Sequence, residues 1–223
     1  MTENLACERS PHARTELTKL LIIDNCIAGG KSTLINNLKA KHPEWTFIQE
    51  GIPLDPEKEI IYLGMPEMNM IEFQNLIALN LYNSYNKLKR KIEKNKKIKE
   101  HMQIIAVGDR IWSSPLHFGK YYNIPANTTT DYLFKHIYNF LKEENVFVYY
   151  VFLIGGVDDI LNNIKARNRV CERHYKREDI KKLIELYQPF EDLQGLWHKV
   201  KLCQIGPEFY NNEADIIEEF LLS

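Results

Sequence analysis

Two glycines followed by a lysine and two hydroxyls, Gly29-Gly30-Lys31-Ser32-Thr33, are the residues of this chain best suited to holding phosphate. Lysine brings a full positive charge to the outer phosphates of a nucleotide, and a serine hydroxyl beside it is a ligand for Mg²⁺. The apolar run Leu20 to Ile23 just ahead reads as a buried strand. From Lys31 onward the apolar positions Leu34, Ile35 and Leu38 shift to helical spacing. Strand, tight turn and helix, with Gly-Lys-Ser at the helix start, is the layout of a phosphate-binding loop. Its anion settles on the unpaired N–H groups and positive dipole end of the helix. The usual pattern opens on a glycine where this chain has Asn25. Asparagine tolerates positive φ better than most residues, so the turn is expected to persist at Asn25. A plain strand-to-helix turn is the alternative reading.

Further chemistry-bearing residues follow later apolar runs. Glu50 closes the strand-like segment 45–49; facing an acceptor hydroxyl it would be a general base, and otherwise it caps a turn. Asp109 and Arg110 directly follow Ile104 to Gly108. An acid there, near a phosphate loop, is the expected second contact for Mg²⁺. An arginine beside it would stabilise the charge spreading over a transferring phosphoryl group. A helix N-cap and a structural ion pair are the plainer roles. Arg167, Arg169 and Arg173, with Glu172 among them, suit a mobile lid closing over phosphates, or simply a solvated helix end. Gln74 lies on an apolar helix face beside Phe73. If buried, its amide must find partners, either on a neighbouring loop or on the edge of a base.

These residues need a scaffold that gathers strand ends. Strands are expected at 20–23, 45–49, 104–108, 146–153 and 200–205. Helices are expected from Lys31 and over 66–90, 129–143, 157–168, 177–187 and 212–222. Alternating strands and helices predict a five-stranded parallel sheet covered on both faces, with ligands outside the carboxyl ends of the strands. The chain has 223 residues, 44% of them hydrophobic, and a net charge of −1. That suits one α/β domain over 19–223 and gives no global pull toward nucleic acid. Residues 1–18 are polar, mixed in charge and expected to be disordered. The basic run Lys87 to Lys99 reads as a solvated helix end and loop; no aromatic residues interleave it to suggest a nucleic-acid patch. Four scattered cysteines without metal or disulfide spacing predict a reducing, cytoplasmic setting, and no apolar run reaches membrane-spanning length.

In this order the motifs resemble the deoxynucleoside kinase family, the group that holds thymidine, deoxycytidine and deoxyguanosine kinases. The resemblance covers roughly residues 19–190. It rests on Ile27 through Thr33, Gln49-Glu50, Phe73-Gln74, Asp109-Arg110 with Ser113-Ser114, and Arg167-x-Arg169-x-x-Glu172. It implies a P-loop kinase fold with an arginine-rich lid, ATP and Mg²⁺ as cofactors, a nucleoside acceptor and a homodimer. By the same resemblance Ile27, Ala28, Gly29, Gly30, Lys31, Ser32 and Thr33 would hold ATP, with Arg167 and Arg169 closing over it. Ser32 and Asp109 would place Mg²⁺. Glu50 would be the base for the 5′-hydroxyl, and Arg110 would contact that hydroxyl. Gln74 would pair with the base and Phe118 would stack on it. Glu172 and Tyr62 would hold the sugar 3′-hydroxyl.

The departures are Asn25 and Ala28 for glycines, Gly51 for a proline, and a missing tryptophan shortly afterwards. They are what a diverged member, a viral one included, would carry; a viral member would work in the host-cell cytoplasm. The acceptor is expected to be a pyrimidine deoxynucleoside, thymidine foremost. Relatives that favour purines or deoxycytidine tend to have aspartate where this chain has Pro115, and Ile77 and Leu81 add apolar bulk one and two turns past Gln74. Two other readings stand beside this one. The segment 109–114 also resembles thymidylate kinases, although no additional arginine near the second strand awaits a monophosphate. A degenerate phosphate-loop domain would bind nucleotide or a partner without turnover.

Overall fold

The computed structural model describes residues 18–25, 27–48, 67–98, 103–125, 128–168, 172–187, 197–204 and 207–222. Five strands, β1 (Thr18–Asp24), β2 (Thr46–Ile48), β3 (Ile104–Asp109), β4 (Phe147–Ile154) and β5 (Trp197–Gln204), form one sheet in the order β2-β3-β1-β4-β5. Every pairing is parallel. The helices are α1 (Lys31–Lys41), α2 (Glu67–Ile98), α3 (Ser114–Tyr122), α4 (Thr128–Glu143), α5 (Val157–Arg167), α6 (Arg177–Leu186) and α7 (Pro207–Leu222).

β1 is central, and all seven of its residues are buried. Its side chains alternate between two cores, as the two-residue period of a strand requires. Leu20 and Ile22 pack with Tyr85, Leu88 and Ile92 of α2 and with Phe134, Ile137 and Leu141 of α4. Leu21 and Ile23 pack with Leu34 and Leu38 of α1 and with Ile217 and Leu221 of α7. Helices therefore cover both faces, and the chain crosses from β3 past β1 to β4. That crossing makes the carboxyl end of β1 the switch point where α/β sheets open a crevice. A third apolar cluster lies at this end: Ile27 and Ala28 of the loop after β1 pack with Ile160 and Ile164 of α5, and with Ile180, Leu183 and Tyr187 in and after α6.

Five elements differ from expectation. The basic run is helical to Ile98, because Leu88 and Ile92 continue the buried face of α2. Lys89 also lies over the Phe140 ring, and Lys96 pairs with Glu144. α3 has no counterpart among the expected helices. Its first turn contains Pro115 and it ends on Asn123 at φ 54, both ordinary helix-boundary signals on a segment too short to show apolar periodicity. β5 begins three residues before the expected start at 200, and α7 begins at Pro207 instead of 212. Thr18, placed in the disordered arm by the sequence reading, is a buried residue of β1.

Candidate active site

The loop between β1 and α1 exposes the start of α1 to an anion. Gly30, with φ 75, is the N-cap and has no side chain to cap the first turn, and no acid lies in that turn. The first N–H groups of α1 are thus left for a ligand rather than for a capping oxygen. Lys31 is buried, whereas Ser32 and Thr33 are exposed. The positive φ of the turn falls at Ala28 (φ 47), not at Asn25. Asn25 is instead held by its own backbone contacts. Its N–H donates to Asp24 Oδ1 at 2.8 Å, and its carbonyl accepts from Arg110 Nη1 at 2.7 Å. Ala28 is fixed from outside by Asn163 of α5, whose amide donates to the Ala28 carbonyl at 2.9 Å.

Asp109 ends β3 beside Ile23 of β1. Its carboxylate forms an ion pair with the Lys31 ammonium. The next residue, Arg110, has φ 71, and its N–H donates to the Ile23 carbonyl at 3.0 Å. That backbone turn directs the guanidinium back over the loop. The guanidinium lies 4.8 Å from the Phe118 ring centroid and also donates to the Tyr187 hydroxyl at 3.2 Å. Phe118 in turn packs on Tyr187 with ring centroids 5.1 Å apart.

Beneath these groups sits Asp24, fully buried at the end of β1. Four donors converge on its carboxylate: the Asn25 N–H and the Tyr187 hydroxyl, each 2.8 Å from Oδ1, and the Tyr150 hydroxyl at 3.1 Å and the Ile111 N–H at 3.2 Å from Oδ2. Burial raises its pKa to about 6, while Arg110, Tyr187, Lys31 and Ile111 pull the other way.

The expected substrate residues fall into two groups. Gln74 is buried on α2 and donates to the Pro115 carbonyl of α3 at 3.0 Å. A Cβ on Gly119 would stand 2.9 Å from the Gln74 amide nitrogen, so this glycine lets α3 seat close on α2. Ile77 is half-buried and Leu81 fully buried. Near the end of α5, Arg167 donates to the buried Glu172 at 3.2 Å, and Arg173 donates to Asn168 at 2.9 Å. Glu50, Tyr62 and Arg169 lie outside the described residues.

The structure thus brings Lys31, Asp109, Arg110 and Phe118 together, and joins Gln74 to Pro115. Asp24 and Tyr187 were missed as site residues. An acid ending an all-apolar strand directly before the loop was a signal for Asp24, whereas Tyr187, 163 residues away in sequence, offered none. Among the described residues no group of three or more acidic, histidine or cysteine side chains could hold a metal by itself. None of their helices is long and apolar enough to cross a membrane.

Together the all-parallel sheet, the loop and the α1 terminus define an α/β fold of the P-loop kinase type. The fold is similar to that of a solved deoxyadenosine kinase from M. mycoides with bound dATP, with a TM-score of 0.59 over 92% of this chain and 100% of that one, at 17% sequence identity. No family model matches the sequence, and no curated protein matches it. Nothing in these comparisons speaks for a viral origin.

Proposed function

We propose that this chain is a deoxynucleoside kinase, transferring the γ-phosphoryl group of ATP to the 5′-hydroxyl of a deoxynucleoside, thymidine by preference. The observation that carries the reading is the junction of two strand ends, where the Lys31 ammonium meets the Asp109 carboxylate and Arg110 reaches back to the loop carbonyl of Asn25. It puts two cations and an acid at the open N-terminus of α1, the arrangement phosphoryl transfer needs because catalysis there is mostly positioning and charge stabilisation.

Lys31 and the first N–H groups of α1 would hold the phosphates. The exposed Ser32 hydroxyl and the partly exposed Asp109 carboxylate fit Mg²⁺. With few protein ligands, such an ion relies on phosphate oxygens and water, as Mg²⁺ characteristically does. Bound there, the ion would neutralise charge on the outer phosphates. Arg110, steadied by Phe118, would face the acceptor oxygen. Glu50 would take the proton from the 5′-hydroxyl, and Glu172 with Tyr62 would hold the sugar, as the resemblance implies. The Gln74 to Pro115 bond fixes the amide expected to meet the base, and the proline adds no charge to that wall. The half-buried Ile77 narrows it further, which favours a one-ring base with an apolar methyl. The assembly proposed is a homodimer, which sedimentation would check.

An ADP-release assay with the four natural deoxynucleosides and their monophosphates tests the proposal. Turnover with deoxynucleosides, thymidine leading in kcat/KM, is the expected result. A purine nucleoside in the lead would remove the pyrimidine assignment. Turnover with monophosphates alone would make the chain a thymidylate kinase-like enzyme, and nucleotide binding with no turnover would make it a binding protein.

A further inference from the structure

The phosphate loop and Arg110 come from segments 85 residues apart, and phosphoryl transfer requires them to keep a fixed spacing. Two buried groups tie them. The Asn25 peptide is gripped at both ends, its N–H by Asp24 and its carbonyl by Arg110. The Tyr187 hydroxyl then closes a triangle, donating to Asp24 Oδ1 at 2.8 Å and accepting from Arg110 Nη1 at 3.2 Å. Tyr187 caps the C-terminus of α6, the helix that follows the arginine-rich segment. Its ring is clasped by Phe118 and His117 of α3 and by Phe152 of β4. The loop and the lid-side helix therefore meet at one carboxylate oxygen, and the Arg110 guanidinium joins them through the Tyr187 hydroxyl.

The other oxygen is bonded differently. Oδ2 accepts from Tyr150 and from the Ile111 N–H, and neither of those bonds involves the guanidinium. Asp24 thus carries two tyrosine hydroxyls, both fully or almost fully buried, and that of Tyr187 also accepts from Arg110.

We infer that Asp24 and Tyr187 are positioning residues: through the Oδ1 side they hold Arg110 and the phosphate loop in register with each other and with the end of α6. The inference rests on the kinase reading for its catalytic consequence, but not for its geometric one. Opening the triangle frees the guanidinium to leave the Asn25 carbonyl, and both the loop and the acceptor contact loosen.

The test compares Tyr187→Phe with Tyr150→Phe, each of which deletes one hydroxyl and keeps the ring. Thermal melts establish that both variants fold. Tyr187→Phe is expected to lower kcat roughly tenfold, with the nucleoside KM changed less than twofold, and to weaken MgATP binding several-fold by calorimetry. Tyr150→Phe is expected to lose a similar amount of stability while keeping kcat and MgATP affinity within twofold of wild type. Equal losses in both variants, or wild-type behaviour of Tyr187→Phe, would overturn the inference. If wild type turns over no nucleoside, the kinase reading falls. The MgATP affinities of the two variants then decide the inference by the same contrast.

Discussion

Asp24 and Asp109 end neighbouring parallel strands, one residue out of step, yet they occupy opposite electrostatic worlds. Asp24 is sealed from solvent and surrounded by four hydrogen-bond donors. Asp109 keeps 22% of its side-chain surface and spends its charge on Lys31. Desolvation dominates the first and raises its pKa to about 6; the second remains open to a ligand. The contrast teaches how a strand end divides its work. One carboxylate organises backbone, and the next supplies charge to whatever binds. Burying a carboxylate is costly unless it is fully hydrogen-bonded, and Asp24 meets that condition through partners drawn from the loop after β1, β4, the turn after β3 and the end of α6.

Truncating the buried acid should break the comparison most sharply. Asp24→Ala strands two backbone N–H groups and two tyrosine hydroxyls, and should cost about 3–5 kcal/mol in a urea titration. Lys31→Ala should do the reverse. Its expected loss is roughly 10²-fold or more in kcat, with a much smaller shift of the unfolding midpoint. Normal turnover in Lys31→Ala would detach the loop from the chemistry proposed for it.

Acidification sharpens the contrast. The folded-state pKa of Asp24 lies above the ordinary aspartate value of 3.8, so the folded protein takes up a proton that the unfolded chain releases between about pH 4 and pH 6. Its contribution to stability is therefore greatest below pH 4 and is lost as pH rises through 6. Arg110, Lys31, Tyr187, Tyr150 and Tyr85 are the charged or titratable groups that face it. Going from pH 7 to pH 5, wild type should gain on Asp24→Asn by about 1 kcal/mol. A stability gap that stays constant across that range would mean Asp24 is ionised throughout.

The smallest effect is expected in the loop between the two carboxylates. Ala28→Gly relieves a left-handed backbone but removes a buried methyl, two terms of about 1 kcal/mol each with opposite sign. Stability should move by less than about 1 kcal/mol. MgATP should bind no worse, and better if the Cβ crowds the phosphate. A large loss would show that the contact of Ala28 with the third cluster, rather than the loop backbone, governs the site.

By itself the sequence determined the alternation of strands and helices, the buried character of β1 and the loop motif at its end. These are local signals, because apolar periodicity and Gly-Lys-Ser depend on residues a few positions apart. It also placed Lys31 at the helix start that follows β1 and Asp109 at the end of β3, from which their meeting follows once the two strands lie side by side and parallel. Tertiary structure alone decided the rest. Leu88 and Ile92 carried α2 through a run of lysines, since burial against the sheet outweighs repulsion between solvated charges. The positive φ went to Ala28, because the bonds of Asn25 to Asp24 and Arg110 held it elsewhere. The partnership of Asp24 with Tyr187 spans 163 residues and leaves no periodic trace. Contacts of that range depend on how layers stack, and a linear pattern of residue types does not encode which buried hydroxyl will face which buried acid.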